Sequence, residues 1–117
     1  MRKIYQLSTC STCKRIIKEL GGGEGFELQD IKTEKMTGEQ LDAMKEKVGS
    51  YEALFSRRSR QYAARGLKEQ VLTEDDYRSL ILEEYTFLKR PVILIDDEIF
   101  VGNTKKVVAA AVDALAG

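Results

Sequence analysis

Four consecutive aliphatic residues, Val92-Ile93-Leu94-Ile95, constrain this chain more than any other feature. The run is continuous, largely β-branched and short, so it predicts a buried strand. Pro91, the only proline in the chain, directly precedes it. Proline cannot donate a ladder hydrogen bond, which suits the first position of a strand. Asp96-Asp97 predicts a turn, after which Glu98 to Val101 pairs back as a second strand in a tight hairpin.

The remaining elements follow from local pattern. Lys3 to Leu7 favours a strand through Ile4, Tyr5 and Leu7. Small polar residues from Ser8 to Thr12 suit a loop and a helix start, and Lys14 to Leu20 places Ile16, Ile17 and Leu20 on one helix face. Gly21-Gly22-Gly23 stops that helix. Phe26 to Ile31 opens with Phe26 and Leu28 alternating against Glu27 and Gln29, a strand pattern. Thr37-Gly38-Glu39-Gln40 predicts a capped helix carrying Leu41, Met44 and Val48. Ser50 to Leu67 reads as helical in pieces. Thr73-Glu74-Asp75-Asp76 starts another helix, continued by Tyr77, Leu80, Ile81 and Tyr85. A final helix opens near Thr104, with Val107, Val108, Ala111, Val112 and Leu115 on one side. The order is β-α-β, a helical insertion, then β-β-α. One α/β domain over residues 1–117 accounts for it: a mixed four-stranded sheet with helices on both faces. These are the connections of a thioredoxin-like core, with an α-helical insertion at about residues 33–88.

Composition removes whole function classes. Nineteen basic and nineteen acidic residues cancel, so no strong field attracts nucleic acid or an anionic membrane. No apolar run approaches the roughly 20 residues that span a bilayer, and the N-terminal apolar stretch is too short for a signal peptide. The expectation is a cytoplasmic chain with no direct nucleic-acid or membrane partner. There is no histidine, so Cys-His, Ser-His-Asp and histidine-metal catalysis within this chain are excluded. The only cysteines are Cys10 and Cys13, too few for the usual four-ligand zinc sphere, and no metal site is expected. Redox chemistry on a close thiol pair survives.

Cys10-Ser11-Thr12-Cys13 falls where a strand hands over to a helix. Unpaired backbone N–H groups and the helix dipole stabilise a thiolate there. The first cysteine of such a pair is the exposed nucleophile, and the second, one turn on, can resolve a mixed disulfide. Lys14 and Arg15 add positive potential. Arg90-Pro91 is the second signal, because the corresponding loop of thioredoxin-like folds carries a cis-proline facing the nucleophile. Arg90 would then lie beside Cys10, holding thiolate charge and gripping an oxyanion with a bidentate fork.

Together, the C-x-x-C after the first strand, Leu54-Phe55-Ser56-Arg57-Arg58-Ser59, Arg90-Pro91-Val92-Ile93 and Phe100-Val101-Gly102 resemble the arsenate reductase family of the glutaredoxin-coupled type, which includes the Spx transcription regulators. The resemblance covers essentially the whole chain. It implies a thioredoxin-like fold, Cys10 as nucleophile, and Arg58 and Arg90 in the anion-binding positions. The chain departs from the family's reductases in several places. Ser8-Thr9 replaces an Asn-Pro pair, Cys13 and Lys14 stand at a serine and an arginine position, and Asn103-Thr104-Lys105 lacks a third arginine. The C-x-x-C form is closer to the Spx branch, where the pair is a redox switch and the protein binds RNA polymerase. Gly49 matches a glycine used in that contact, although a glycine after a helix is more often a cap.

Two functions share this chemistry. In one, the chain is a thiol-dependent oxidoreductase acting on a small oxyanion or a disulfide. Cys10 attacks, Cys13 resolves, and an external thiol (glutathione, glutaredoxin or thioredoxin) restores the pair without a bound cofactor. In the other, the Cys10–Cys13 disulfide switches a surface that binds RNA polymerase. Arg58 and Arg90, which point to anion handling, favour the enzyme.

Overall fold

A computed structural model of the chain describes residues 2–116. The strands are β1 (Arg2–Gln6), β2 (Glu27–Asp30), β3 (Val92–Ile95) and β4 (Glu98–Val101), in one sheet of order β2-β1-β3-β4. All four residues of β3 are buried, as its aliphatic run requires. β1 pairs parallel with β2 and antiparallel with β3, and β3 pairs antiparallel with β4. Asp96 makes the hairpin turn at φ 54°, a left-handed conformation that aspartate tolerates better than most side chains.

Two helices pack on one face of this sheet. α1 (Ser11–Glu19) follows β1, and α5 (Lys105–Ala116) follows β4. Ile16 from the first and Leu20 just past its end, with Val108 and Ala111 from the second, close over Ile4, Ile93 and Ile95. Each large aliphatic side chain removed from water contributes roughly 1.5–3 kcal/mol. Val112, expected on the inner side of α5, is instead 36 % exposed, because Val108 and Ala111 already occupy the contact line. β1 and β4 are both antiparallel to β3, so they run the same way. Consequently α1 and α5 begin at the same end of the sheet.

The edge strand β2 reverses the burial its alternation suggests. Leu28 is 45 % exposed, whereas Gln29 is 1 % exposed. Leu28 pairs with Ile4 and shares the helix-covered face, but α5 lies over β3 and β4, away from the β2 edge. Gln29 pairs with Tyr5 on the opposite face and donates through Nε2 to the Glu34 carbonyl at 3.1 Å.

The chain divides into two units. One takes in the sheet with α1 and α5, up to Glu34 and from Arg90 onward; the other is Lys35–Lys89. The second unit holds α2 (Gly38–Val48), α3 (Arg60–Ala64) and α4 (Glu74–Glu83), with 3-10 turns at Glu52–Leu54, Leu67–Glu69 and Tyr85–Phe87. Both capping boxes form: the Thr37 and Thr73 side chains accept from Gln40 N–H and Asp76 N–H, and each partner side chain accepts in return. Gly49 closes α2 at φ 97°, so helix termination accounts for that glycine. α4 stops at Glu83, short of Tyr85. The Glu84 side chain caps the next turn by accepting from Thr86 N–H at 3.2 Å, and this local bond ends the helix. The aromatic centre is Phe55, fully buried, with ring centroids of Tyr77 at 4.9 Å, Phe87 at 5.0 Å and Tyr62 at 6.0 Å. On its surface Asp42 accepts from Tyr51 Oη at 2.6 Å and from Arg78 Nε at 2.8 Å.

Candidate active site

The polypeptide leaves β1 at Gln6 and turns at once, with Cys10 N–H donating to the Leu7 carbonyl at 2.9 Å. This places Cys10 at the N-cap of α1 with extended backbone (φ −88°, ψ 114°), and its carbonyl accepts the first helical bond, from Lys14 N–H at 3.1 Å. A serine or aspartate here would cap the helix with its side chain; the Cys10 side chain makes no capping hydrogen bond. What the helix start offers instead is stabilisation of a thiolate.

The two thiols differ in burial and in acidity. Cys10 is half-buried and Cys13 fully buried, and both are free. Burial by itself raises the Cys10 pKa. The nearby Cys13 N–H and thiol, the Thr12 N–H and the Arg90 charge outweigh it and hold Cys10 below the ordinary thiol value. For Cys13 burial dominates, and the neighbouring Cys10 adds to it by hydrogen bond and by charge, so its thiol is pushed up to about 11. Cys10 is therefore the more acidic thiol of the pair.

Arg90 comes from the segment entering β3, and the Arg90–Pro91 peptide is cis. Pro91 is buried, and its carbonyl accepts from Gly102 N–H at 3.0 Å. The Arg90 Nε atom is buried and has no hydrogen-bond acceptor among the described residues, although other contacts engage the residue. Lys14 and Arg15 are exposed. Cys10, Cys13, Arg90 and Pro91 thus belong to one unit. Arg58 belongs to the other, exposed on the turn before α3, with its N–H donating to Ser56 Oγ at 3.4 Å; its anion-binding role rests on the family resemblance.

Sequence reasoning missed Asp30. Its carboxylate accepts from Ser8 Oγ and from Lys32 N–H, tying the loop that carries Cys10 to the end of β2. The Ser8 hydroxyl first, then Lys32 N–H, holds this carboxyl below its ordinary value. No sequence signal links two residues 22 apart whose meeting depends on parallel strand pairing. Among the described residues, no group of three or more His, Cys, Asp or Glu side chains is placed to hold a metal ion. No helix among them is long and apolar enough to cross a membrane.

A mixed four-stranded sheet with a C-x-x-C at the first strand-to-helix junction and a cis-proline before β3 defines a protein of thioredoxin-like fold. The ArsC family model matches residues 5–111, and the chain belongs to that family. It is similar to a Staphylococcus aureus protein solved by NMR, with 27 % identity and a TM-score of 0.75, covering 94 % of this chain and 97 % of that one. A Streptococcus mutans protein described as a possible arsenate reductase is 25 % identical, with a TM-score of 0.73 over 90 % of this chain and 92 % of that one. The arsenate reductase from Vibrio cholerae, 16 % identical, superposes with a TM-score of 0.79 over 93 % and 95 % of the two chains and shows the fold alone. No curated protein sequence matches.

Proposed function

We propose that this protein is a thiol-dependent reductase of an arsenate-like oxyanion, with Cys10 as nucleophile and Cys13 as resolving thiol. The observation that carries the reading is the division of labour in the pair: one thiol half-exposed at a helix N-cap and acidified, the other buried with its proton held. Membership of the ArsC family supports an oxyanion as substrate and a thiol as reductant.

The Cys10 thiolate attacks arsenic, an S–As bond forms, and an arsenic-bound hydroxyl leaves as water after taking up a proton. Arg90, whose charge already acts on Cys10, offsets the negative charge of the adduct, and Arg58 is assigned the same task from the resemblance. Once Cys10 is bonded to arsenic it is no longer a thiolate. Two of the causes that raise the Cys13 pKa, the hydrogen bond to Cys10 and its charge, are then lost. Cys13 ionises more easily and attacks the Cys10 sulfur. The S–As bond breaks with its electron pair going to arsenic, which leaves as arsenite, and the Cys10–Cys13 disulfide remains. Two equivalents of an external thiol reduce that disulfide and leave as their own disulfide.

Turnover assays with arsenate, glutathione disulfide and an insulin-type disulfide, each with glutathione, glutaredoxin or thioredoxin, test the reading. The expected result is arsenite formation that Cys10→Ser abolishes. Turnover of the disulfides with no arsenite from any donor would refute the oxyanion as substrate.

A further inference from the structure

The main chain of Leu7 addresses both thiols. Its carbonyl accepts from Cys10 N–H at 2.9 Å. Burial raises the Cys13 pKa, and the nearby Leu7 N–H works against that rise. The residues on either side of Leu7 are both held by the end of β2. The Gln6 carbonyl accepts from Ile31 N–H at 3.0 Å, and Ser8 Oγ donates to one carboxylate oxygen of Asp30. A carboxylate is a stronger acceptor than a neutral group.

Asp30 is itself anchored. Its other carboxylate oxygen accepts from Lys32 N–H at 3.0 Å, a turn that aspartate forms with its own backbone two residues on. Its carbonyl accepts from Thr33 N–H at 3.2 Å and Glu34 N–H at 2.7 Å. Among the described residues, no side chain other than that of Asp30 holds Ser8 or Thr9 by a hydrogen bond. The two cysteines depend on this turn unequally. Cys13 lies inside α1 and is fully buried, so the helix fixes it. Cys10 stands at the N-cap with extended backbone and no side-chain cap, so its place follows the turn from Leu7 as well.

We propose that Asp30 is a positioning residue for the resolving step. By holding Ser8 it fixes the turn from Leu7 to Cys10 and keeps the Cys10 sulfur within reach of Cys13. This deepens the reductase reading and rests on its assignment of nucleophile and resolver. Attack of Cys13 on the Cys10 sulfur is intramolecular, and a misplacement of about 1 Å costs such a step roughly 100-fold. Attack of the half-exposed Cys10 on a reagent free in solution makes no such demand. Loss of the tether should therefore separate the two steps.

The probe is dithiobis(nitrobenzoate), an aromatic disulfide whose released thiolate is coloured, mixed in excess with the reduced protein. The Cys10 thiolate attacks it, forming a mixed disulfide and releasing one aromatic thiolate. Cys13, losing its proton to solvent, then attacks the Cys10 sulfur and releases the second, leaving the Cys10–Cys13 disulfide. Ser8→Ala removes the bond and keeps the Asp30 charge; Asp30→Ala removes both. Each should slow the second release about tenfold, part of the cost of misplacement, and leave the first within about twofold. The double variant should be no slower than either single one, because both remove the same interaction. Ser8→Thr, which keeps the hydroxyl, should restore the second release, and circular dichroism should be unchanged throughout. An unaltered second release in both alanine variants, equal slowing of the two steps, multiplied effects in the double variant or a Ser8→Thr as slow as Ser8→Ala would overturn the proposal. The two readings fail separately. A wild type that releases one thiolate, or a second only in proportion to reagent concentration, defeats Cys13 as resolver and the positioning role with it. A concentration-independent second release that the variants leave unaltered defeats Asp30 alone.

Discussion

Selective alkylation gives the sharpest test of the thiol assignment. The Cys13 pKa is pushed up to about 11, whereas Cys10 is held below the ordinary 9.0. A gap of at least two pKa units makes the thiolate fraction at pH 7 at least about 100-fold larger for Cys10. The more acidic thiolate is intrinsically the weaker nucleophile, with a Brønsted slope of about 0.4–0.5, which removes roughly tenfold. Cys10 should therefore react with iodoacetamide at least about tenfold faster than Cys13. The burial of Cys13, which is 0 % exposed, widens the gap further by excluding the reagent. Cleavage after Lys3 and Lys14 puts both cysteines on one tryptic peptide, so fragment-ion mass mapping must separate the two sites. Equal labelling, or Cys13 labelled first, would refute the division into nucleophile and resolver and with it the proposed mechanism.

Other perturbations probe separate parts of the argument. Arg90→Ala should raise the Cys10 pKa and slow its alkylation at neutral pH, and Arg90→Lys should restore the rate but not oxyanion binding; a wild-type rate in both variants would remove Arg90 from the site. Mild oxidation should close an intramolecular Cys10–Cys13 disulfide with a potential of roughly −180 to −270 mV in a glutathione redox titration, and mainly intermolecular products would leave Cys13 without a resolving role. Phe55→Ala should cost about 3–5 kcal/mol in urea unfolding, because it empties the aromatic centre of the insertion; a loss below about 1 kcal/mol would show that the unit repacks. Asp42, hydrogen-bonded to Arg78 and Tyr51, has its pKa lowered from 3.8 to about 2. A carboxyl depressed on folding contributes stability above its unfolded value, and that contribution is lost as pH falls through the folded one. Asp42→Asn should therefore flatten the acid limb of the stability curve between about pH 4 and 2, and an unchanged limb would assign the acid sensitivity elsewhere.

Features decided within a few residues of chain were legible in the sequence. The capping boxes at Thr37 and Thr73 span three residues, and the bonds that make them need no tertiary partner. The aliphatic run of β3, the Asp96-Asp97 turn and the placing of Cys10 at a strand-to-helix junction are equally local, so the thiol pair could be singled out at once. Tertiary structure decided what depends on neighbours distant in sequence. Leu28 faces solvent and Gln29 is buried because β2 became an edge strand, a fact of strand order that alternation does not encode. Val112 stayed exposed because a helix of small and branched residues offers more apolar positions than its contact line needs. The acidity of Cys10 draws on Arg90, eighty residues away, and the hold of Asp30 on Ser8 exists only because β1 and β2 pair in parallel. Hydrogen bonds and charges act through a few ångströms of space, and only the folded sheet brings these groups that close.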